Sequence, residues 1–518
     1  MKPDPSGVRD PAVPEEAGTA GLAHPSSYAA AEERFNRLRA AAGFVLGPAA
    51  FVALLALPIP GLSTGAHRLA AVLALVITFW VTEALPLPVT ALAGPVLAVL
   101  LHVAPAREAF APFADPIIFL FMGSFMLAEA MYVHGLDRRL AFKALSVPWV
   151  GRSPVRVVVM FGAVSTALSM WLSNTATAAM LFPIAVSIIG QVGAGRAGGF
   201  PLSLMLITAF GASVGGMATP VGTPPNLIGI GLLERATGIH VTFAGWMLIG
   251  VPLSVLMFGF QALYFRVVCL RNARPLLEGA GLAAEQVRAM GPLSRAQRNV
   301  LAAFGLTVLL WVAPGVMTAA GVDGAGFARA FNASVPEAVA AMVGALLLFL
   351  LPVDWRARRF TLSWDQAAKI EWGIILLFGG GLSLGGLTFS TGLAEAVGRG
   401  VLAWVPSHTT LALTAAFTAL SIVLTETTSN TAAATMVVPI AIAVAQAAGA
   451  SPVEPALGAT LGASMAFMLP VSTPPNAIVY SSGQVPITAM IRHGVVLDLF
   501  GYAAVMALVM ALGGLVIR

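Results

Sequence analysis

Two polar tripeptides lie inside apolar runs: Ser173-Asn174-Thr175 in WLSNTATAAMLFPI and Ser429-Asn430-Thr431 in TTSNTAAATMVVPI. Asparagine carries an amide oxygen and an NH2 group, and serine and threonine carry hydroxyls. Such a set can meet a cation with oxygen and an anion with nitrogen. Two further blocks, TPVGTPPN (Thr219 to Asn226) and LPVSTPPN (Leu469 to Asn476), place Thr-Pro-Pro in apolar surroundings. Proline lacks a backbone N–H and restricts the residue before it, so a helix breaks there. Freed carbonyls around Gly222 and Ser472 can bind a small hard cation. The N-terminal end of the resuming half-helix, with unpaired N–H groups, favours an anion. The four blocks contain no Lys or Arg. An anion held there would rely on helix ends, hydroxyls, amides and co-bound cations.

These blocks recur in order. FMGSFMLAEAMYVHGL (Phe121 to Leu136) matches FGGGLSLGGLTFSTGL (Phe378 to Leu393) at an offset of 257, the tripeptides follow at 256, and the Pro-Pro blocks at 250. One SNT is uninformative, but three blocks in phase indicate duplication. Ser169 and Thr425 each stand one helical turn before the motif serine. Inverted repeats with interrupted helices are a layout of secondary transporters, with the ligand site between the repeats.

The elements that must carry these blocks are membrane helices. The chain has 518 residues, 58% hydrophobic and 10% charged, against about 25% charged in soluble domains. Apolar runs recur from residue 41 onward, as in a polytopic all-α membrane protein. About 11 transmembrane helices plus two re-entrant hairpins are expected. Residues 1–40 read as a disordered cytoplasmic tail ending in a short surface helix. A first repeat at 41–268 would hold a hairpin at 154–190 and a broken helix at 201–233. After a cytoplasmic loop at 269–297, a second repeat at 298–518 would hold a hairpin at 408–447 and a broken helix at 455–482. Each hairpin has room for two arms of about 17 residues, roughly 25 Å and slightly short of a bilayer crossing. The net charge of +5 gathers in a few segments, among them Arg138, Arg139, Lys143, Arg152, Arg196, Arg266, Arg271, Arg274, Arg356 and Lys369. This bias sets topology rather than nucleic-acid binding, and puts the N-terminus inside if each long stretch is crossed an even number of times. A pair of full spans meets the same parity as a re-entrant hairpin.

Other polar residues have plainer readings. Glu83 and Glu129 lie near or within apolar spans, where a carboxylate is a functional candidate by default, yet both suit structural hydrogen bonds at helix ends. Glu426, inside the second motif, is open between supporting the site and a structural role. Gly379 to Gly381 lack a P-loop lysine and fit helix packing. Cys269, the single cysteine, reads as an ordinary helix-end residue, and the seven histidines form no metal-ligand spacing. Nothing resembles a nucleophile–base arrangement, so the chain does not read as an enzyme.

The blocks SNTATAAMLFPI, SNTAAATMVVPI, the two TPPN segments and WVTEALPLPVTAL (Trp80 to Leu92) together resemble the divalent anion/sodium symporter family, which is similar to the solute carrier family 13 dicarboxylate and sulfate transporters. The resemblance covers residues 41–516. It implies a homodimer in the cell (inner) membrane, with a scaffold domain and a transport domain that moves as an elevator. It further implies sodium-coupled symport of C4-dicarboxylates such as succinate, malate and fumarate, with no organic cofactor. Carried over by residue, a first sodium site would use Ser169, Asn174 and backbone near Ser173 and Gly222. A second would use Thr425, Asn430 and backbone near Thr428 and Ser472. Substrate carboxylates would meet Ser173, Asn174, Thr175, Ser429, Asn430 and Thr431, with Thr223, Pro224, Thr473 and Pro474 lining the pocket. Relatives resembling citrate/succinate exchangers tend to place an arginine where this chain has Thr177, which tilts the expectation toward symport. Sodium-independent exchange, or sulfate or citrate as cargo, stays open on the same fold. So does an anion channel, against which the inverted broken helices weigh.

Overall fold

The computed structural model describes residues 27–150, 153–192, 199–271, 281–402 and 407–516. Residues 1–26 of the expected tail lie outside the described residues, as do Arg152, Arg196 and Arg274. The described chain is almost wholly helical. A two-stranded antiparallel ribbon, Pro352–Asp354 with Arg359–Phe360, departs from the all-α expectation. It closes a turn whose residue Arg358 has φ 50°.

Among the described residues, eight helices are long and apolar enough to cross a membrane, or nine if the bent pair Gly326–Ser334 and Glu337–Leu350 counts as one span. Other stretches expected to span fall on shorter apolar helices, such as Leu87–Leu100 and Phe200–Gly216. The expected surface helix near Arg34 is the start of one 30-residue helix, Ser27–Ala56, so residue 40 falls inside an element. Charge alone could not show this, because basic residues at the start of a helix and in a tail look alike.

Burial separates the helices into a rim and a centre. Only 11% of the apolar window of the first helix is buried, so most of its apolar surface is left uncovered by the described chain. Helix Phe200–Gly216 is buried on all sides from Ser203 onward, the mark of a central helix. A smaller apolar cluster around Trp80 joins helices Thr64–Thr82, Leu87–Leu100 and Trp372–Ser390 to Ala432 and Met436. Close packing there depends on small residues, as between helices in lipid. A methyl group on Gly380 would come within 2.2 Å of the Ala91 carbonyl oxygen, and one on Gly379 within 2.4 Å of the Phe113 ring.

Both long apolar stretches fold as two arms joined by a short turn. The first pair is Pro154–Ser169 and Asn174–Val192, and the second is Thr410–Thr425 and Asn430–Ala447. Each Pro-Pro block follows a break, between Phe200–Gly216 and Pro224–Thr237 and between Val453–Gly462 and Pro474–Tyr480. The packing is exchanged between halves. Helix Pro224–Thr237 lies against arm Asn430–Ala447, and helix Pro474–Tyr480 lies against arm Asn174–Val192. The segments rich in positive charge also meet: Arg139 donates to the carbonyls of Met290 and Gly291 at 2.8 and 2.7 Å.

Candidate functional site

Each tripeptide begins an arm. The Ser173 hydroxyl accepts from the Ala176 N–H and the Ser429 hydroxyl from the Ala432 N–H, both at 3.2 Å. These are N-caps, which satisfy a donor that the helix start leaves unpaired. The asparagines follow as the first helical residues. Ser169 Oγ donates to Asn174 Oδ1 at 2.7 Å, and Thr425 Oγ1 lies 2.6 Å from Asn430 Oδ1. The one-turn spacing seen in the sequence thus closes each hairpin turn with an oxygen pair.

Each break is braced by the last residue of its Pro-Pro block. Asn226 Nδ2 donates to the carbonyls of Gly216 and Thr219 at 2.9 and 2.8 Å, and Asn476 Nδ2 to those of Ala466 and Leu469, both at 3.0 Å. Both asparagines are fully buried. Their amide oxygens have no hydrogen-bond partner among the described residues. The breaks lean on the hairpin turns. Thr219 donates to the Met170 carbonyl at 2.5 Å. Gly216 permits the approach of Asn174, because a methyl group there would sit 2.4 Å from Asn174 Oδ1. Gly222 is held equally close to the Gly216 carbonyl, 2.6 Å from where its own methyl would be. Ser169, Asn174 and Gly222 therefore gather around Gly216.

The second half gathers a matching set. Thr425 Oγ1 lies 2.6 Å from Asn430 Oδ1 and 2.7 Å from the Ala463 carbonyl oxygen. One hydroxyl proton cannot serve both acceptors, whereas a small hard cation takes several oxygens at once. Ser472 donates to the Leu469 carbonyl and stands 3.4 Å from Asn476 Nδ2. Thr428 turns its hydroxyl back to the Leu424 carbonyl at 3.0 Å. That bond uses the hydroxyl proton and leaves the oxygen lone pairs and the backbone carbonyl as acceptors.

A cavity of about 760 Å³ opens onto Ser173 and Thr175. Glu129, Asp137, Arg138, Lys369 and Glu371 also line it. Ser429, Asn430 and Thr431 are not among its lining residues, nor are Thr223, Pro224, Thr473 and Pro474. This cavity therefore reaches the first tripeptide and not the second, and the two halves meet through the exchanged helix packing. Thr223 and Thr473 are the residues just before the resuming helices, and Thr473 Oγ1 accepts from the Asn476 N–H at 3.4 Å.

Sequence reasoning missed the roles of three groups. The bracing asparagines were visible as the final letter of both blocks, but their task depends on the path of the break. Glu426 accepts from the N–H groups of Phe467, Met468 and Leu469 at 2.7, 2.8 and 3.2 Å. Its carboxylate ties the second hairpin turn to the unwound segment, which gives the residue a defined structural task beside the site. Asp498 is buried, and neither of its carboxyl oxygens has a hydrogen-bond partner among the described residues. Its signal was a lone carboxylate in an apolar run. Glu83, Glu129 and Cys269 take three different places. Glu83 caps helix Thr64–Thr82, Glu129 lines the cavity, and Cys269 caps helix Phe243–Val268.

Comparison with known proteins places this geometry in context. Residues 39–517 match the family described as the sodium:sulfate symporter transmembrane region. The chain is 32% identical over 478 residues to the sodium-dependent dicarboxylate transporter SdcS of Staphylococcus saprophyticus, covering 90% of each chain. It is 30% identical to SdcS of Staphylococcus aureus strain USA300 over 87% of each chain. It is 33% identical to an uncharacterized transporter of Haemophilus influenzae, over 83% of this chain and 88% of that one. The fold is similar to that of the YdaH transporter of Alcanivorax borkumensis (TM-score 0.51, 15% identity, 78% of this chain and 86% of that one). It is also similar to MtrF of Neisseria gonorrhoeae (TM-score 0.53, 14% identity, 80% of this chain and 83% of that one). A match along almost the whole apolar chain, together with the many apolar helices, makes this a multi-pass membrane protein that belongs to the sodium:sulfate symporter family, the divalent anion/sodium symporters.

Proposed function

We propose that the chain is a secondary active transporter that couples sodium to the uptake of C4-dicarboxylates such as succinate, malate and fumarate. The observation that carries the reading is the doubled oxygen cluster: a hydroxyl and an asparagine amide oxygen at each hairpin turn, set against an unwound segment. The names of the SdcS relatives support the choice of sodium and dicarboxylate.

Sodium would bind to Ser169, Asn174 and backbone carbonyls near Ser173 and Gly222, and to Thr425, Asn430 and those near Thr428 and Ser472. Each asparagine spends its oxygen on the cation and keeps its NH2 group for a substrate carboxylate. The four blocks hold no Lys or Arg to meet the anion's charge. Sodium bound first supplies the positive charge, which couples the two fluxes. Ser173, Thr175, Ser429 and Thr431 complete the carboxylate contacts, with Thr223, Pro224, Thr473 and Pro474 at the ends of the resuming helices.

The protein would lie in the cell (inner) membrane with its N-terminus in the cytoplasm, as a homodimer in which each protomer has a scaffold domain and a moving transport domain that holds both hairpins and both broken helices. Radiolabelled succinate uptake into proteoliposomes, with an inward sodium gradient or with potassium in its place, tests the coupling. Uptake that ignores sodium and requires internal dicarboxylate would make the protein an exchanger. Uptake of sulfate or citrate in place of succinate would change the cargo.

A further inference from the structure

The four motif blocks contain no basic residue, yet the fold brings one to the second of them. Arg39, on the first helix, donates from Nη1 to the carbonyl oxygen of Thr427 at 3.1 Å, two residues before Ser429. Its Nη2 lies 3.1 Å from Glu83 Oε2. Glu83 ends helix Thr64–Thr82 in left-handed backbone, φ 50°, a conformation that non-glycine residues rarely adopt. The two helices approach closely one turn beyond Arg39, where a methyl group on Gly43 would come within 2.0 Å of Thr82 Oγ1. That approach sets Arg39 beside Glu83.

The ion pair is partly exposed, with 19% of the Arg39 side chain and 45% of the Glu83 side chain accessible, so it contributes little stability by itself. Its value is geometric. A guanidinium is a planar fork of donors, and a carboxylate on one edge fixes the direction of the others. The turn that receives the remaining donor is already ordered: the N–H groups of Thr427 and Thr428 both bond to the Leu424 carbonyl at 3.0 Å. Glu426 ties this turn to the broken helix, and Arg39 ties it to the first helix. The first hairpin is fixed differently, through Thr219 on its own broken helix.

We propose that Arg39, oriented by Glu83, is a positioning residue for the second Ser-Asn-Thr. It clamps the hairpin turn to the first helix, and the clamp must open whenever the turn moves relative to that helix. The effect on transport rests on the function proposed above, whereas the clamp itself does not.

The test uses the full chain with Cys269→Ser and one reporter, Thr427→Cys, at a position already exposed. A soluble maleimide labels the reporter. Loss of a charge-assisted bond through Arg39→Gln is expected to speed labelling about tenfold. Glu83→Gln is expected to do so less, and Arg39→Lys, which keeps a donor, to return toward the parent rate. Sodium half-saturation of uptake is expected to rise with the labelling rate, a change that general loss of stability would not produce. Labelling of Arg39→Gln at the parent rate overturns the proposal. If that variant fails to fold, Glu83→Gln labelled at the parent rate overturns it instead. Faster labelling in a chain whose parent takes up no succinate would support the clamp and count against the transport reading.

Discussion

At the scale of the residue, Asn174 and Asn430 carry the most chemistry, because each offers both an acceptor and a donor beside an unwound helix. Asn174→Ala or Asn430→Ala is expected to abolish transport while leaving expression and the size-exclusion elution profile unchanged, as checked by uptake alongside chromatography. Asn226 and Asn476 are expected to behave differently. Each is buried and braces a break through two hydrogen bonds, so Asn476→Ala should cost about 1–3 kcal/mol of stability. A lower melting temperature of the purified protein would show it, and an unchanged one would remove the bracing role. The tripeptides were legible in the sequence because polar residues in phase inside apolar runs need an explanation. The bracing asparagines were not, since no spacing states which carbonyls a break will expose. Arg39 was least legible, because its partner Thr427 is far away in the chain.

At the scale of the element, the hairpin turns and the breaks act together. Gly216→Ala places a methyl group where Asn174 Oδ1 now lies, so it is expected to displace that oxygen and cut uptake by about tenfold or more through misplacement at the site. Parental uptake by this variant would show that the approach is incidental. Away from the site, the loop before helix Phe243–Val268 is held by His240, whose Nδ1 lies 3.1 Å from Glu234 and whose Nε2 lies 3.7 Å from Glu337. The carboxylates of Glu234 and then Glu337 push its pKa up to about 10. A raised folded-state value stabilises fully below the unfolded value of about 6.5 and is lost as pH rises toward the folded one. The melting-temperature gap between the parent and His240→Ala is therefore expected to shrink steadily from about pH 6.5 to about 10. The turn between hairpin arms was readable, because arm length and N-cap residues mark it. The short helix Gly326–Ser334 and the ribbon at Pro352 were not, because packing against neighbouring helices decides whether such short segments become regular.

At the scale of the whole molecule, exchanged packing is the central feature. The resuming helix of each half lies on the hairpin arm of the other, so neither half can form its surroundings alone. In a duplicated sequence the blocks identify corresponding parts but not which copy each will touch, so this arrangement could not be read in advance. The proposed site, with two cations flanking one divalent anion, requires both oxygen clusters. The most direct test of that claim is radiolabelled succinate uptake into proteoliposomes of the purified protein, with an inward sodium gradient and with potassium in its place. Accumulation that requires sodium, and is lost in both Asn174→Ala and Asn430→Ala, is the expected result. Succinate accumulation that is the same in potassium, or that survives both substitutions, would contradict it.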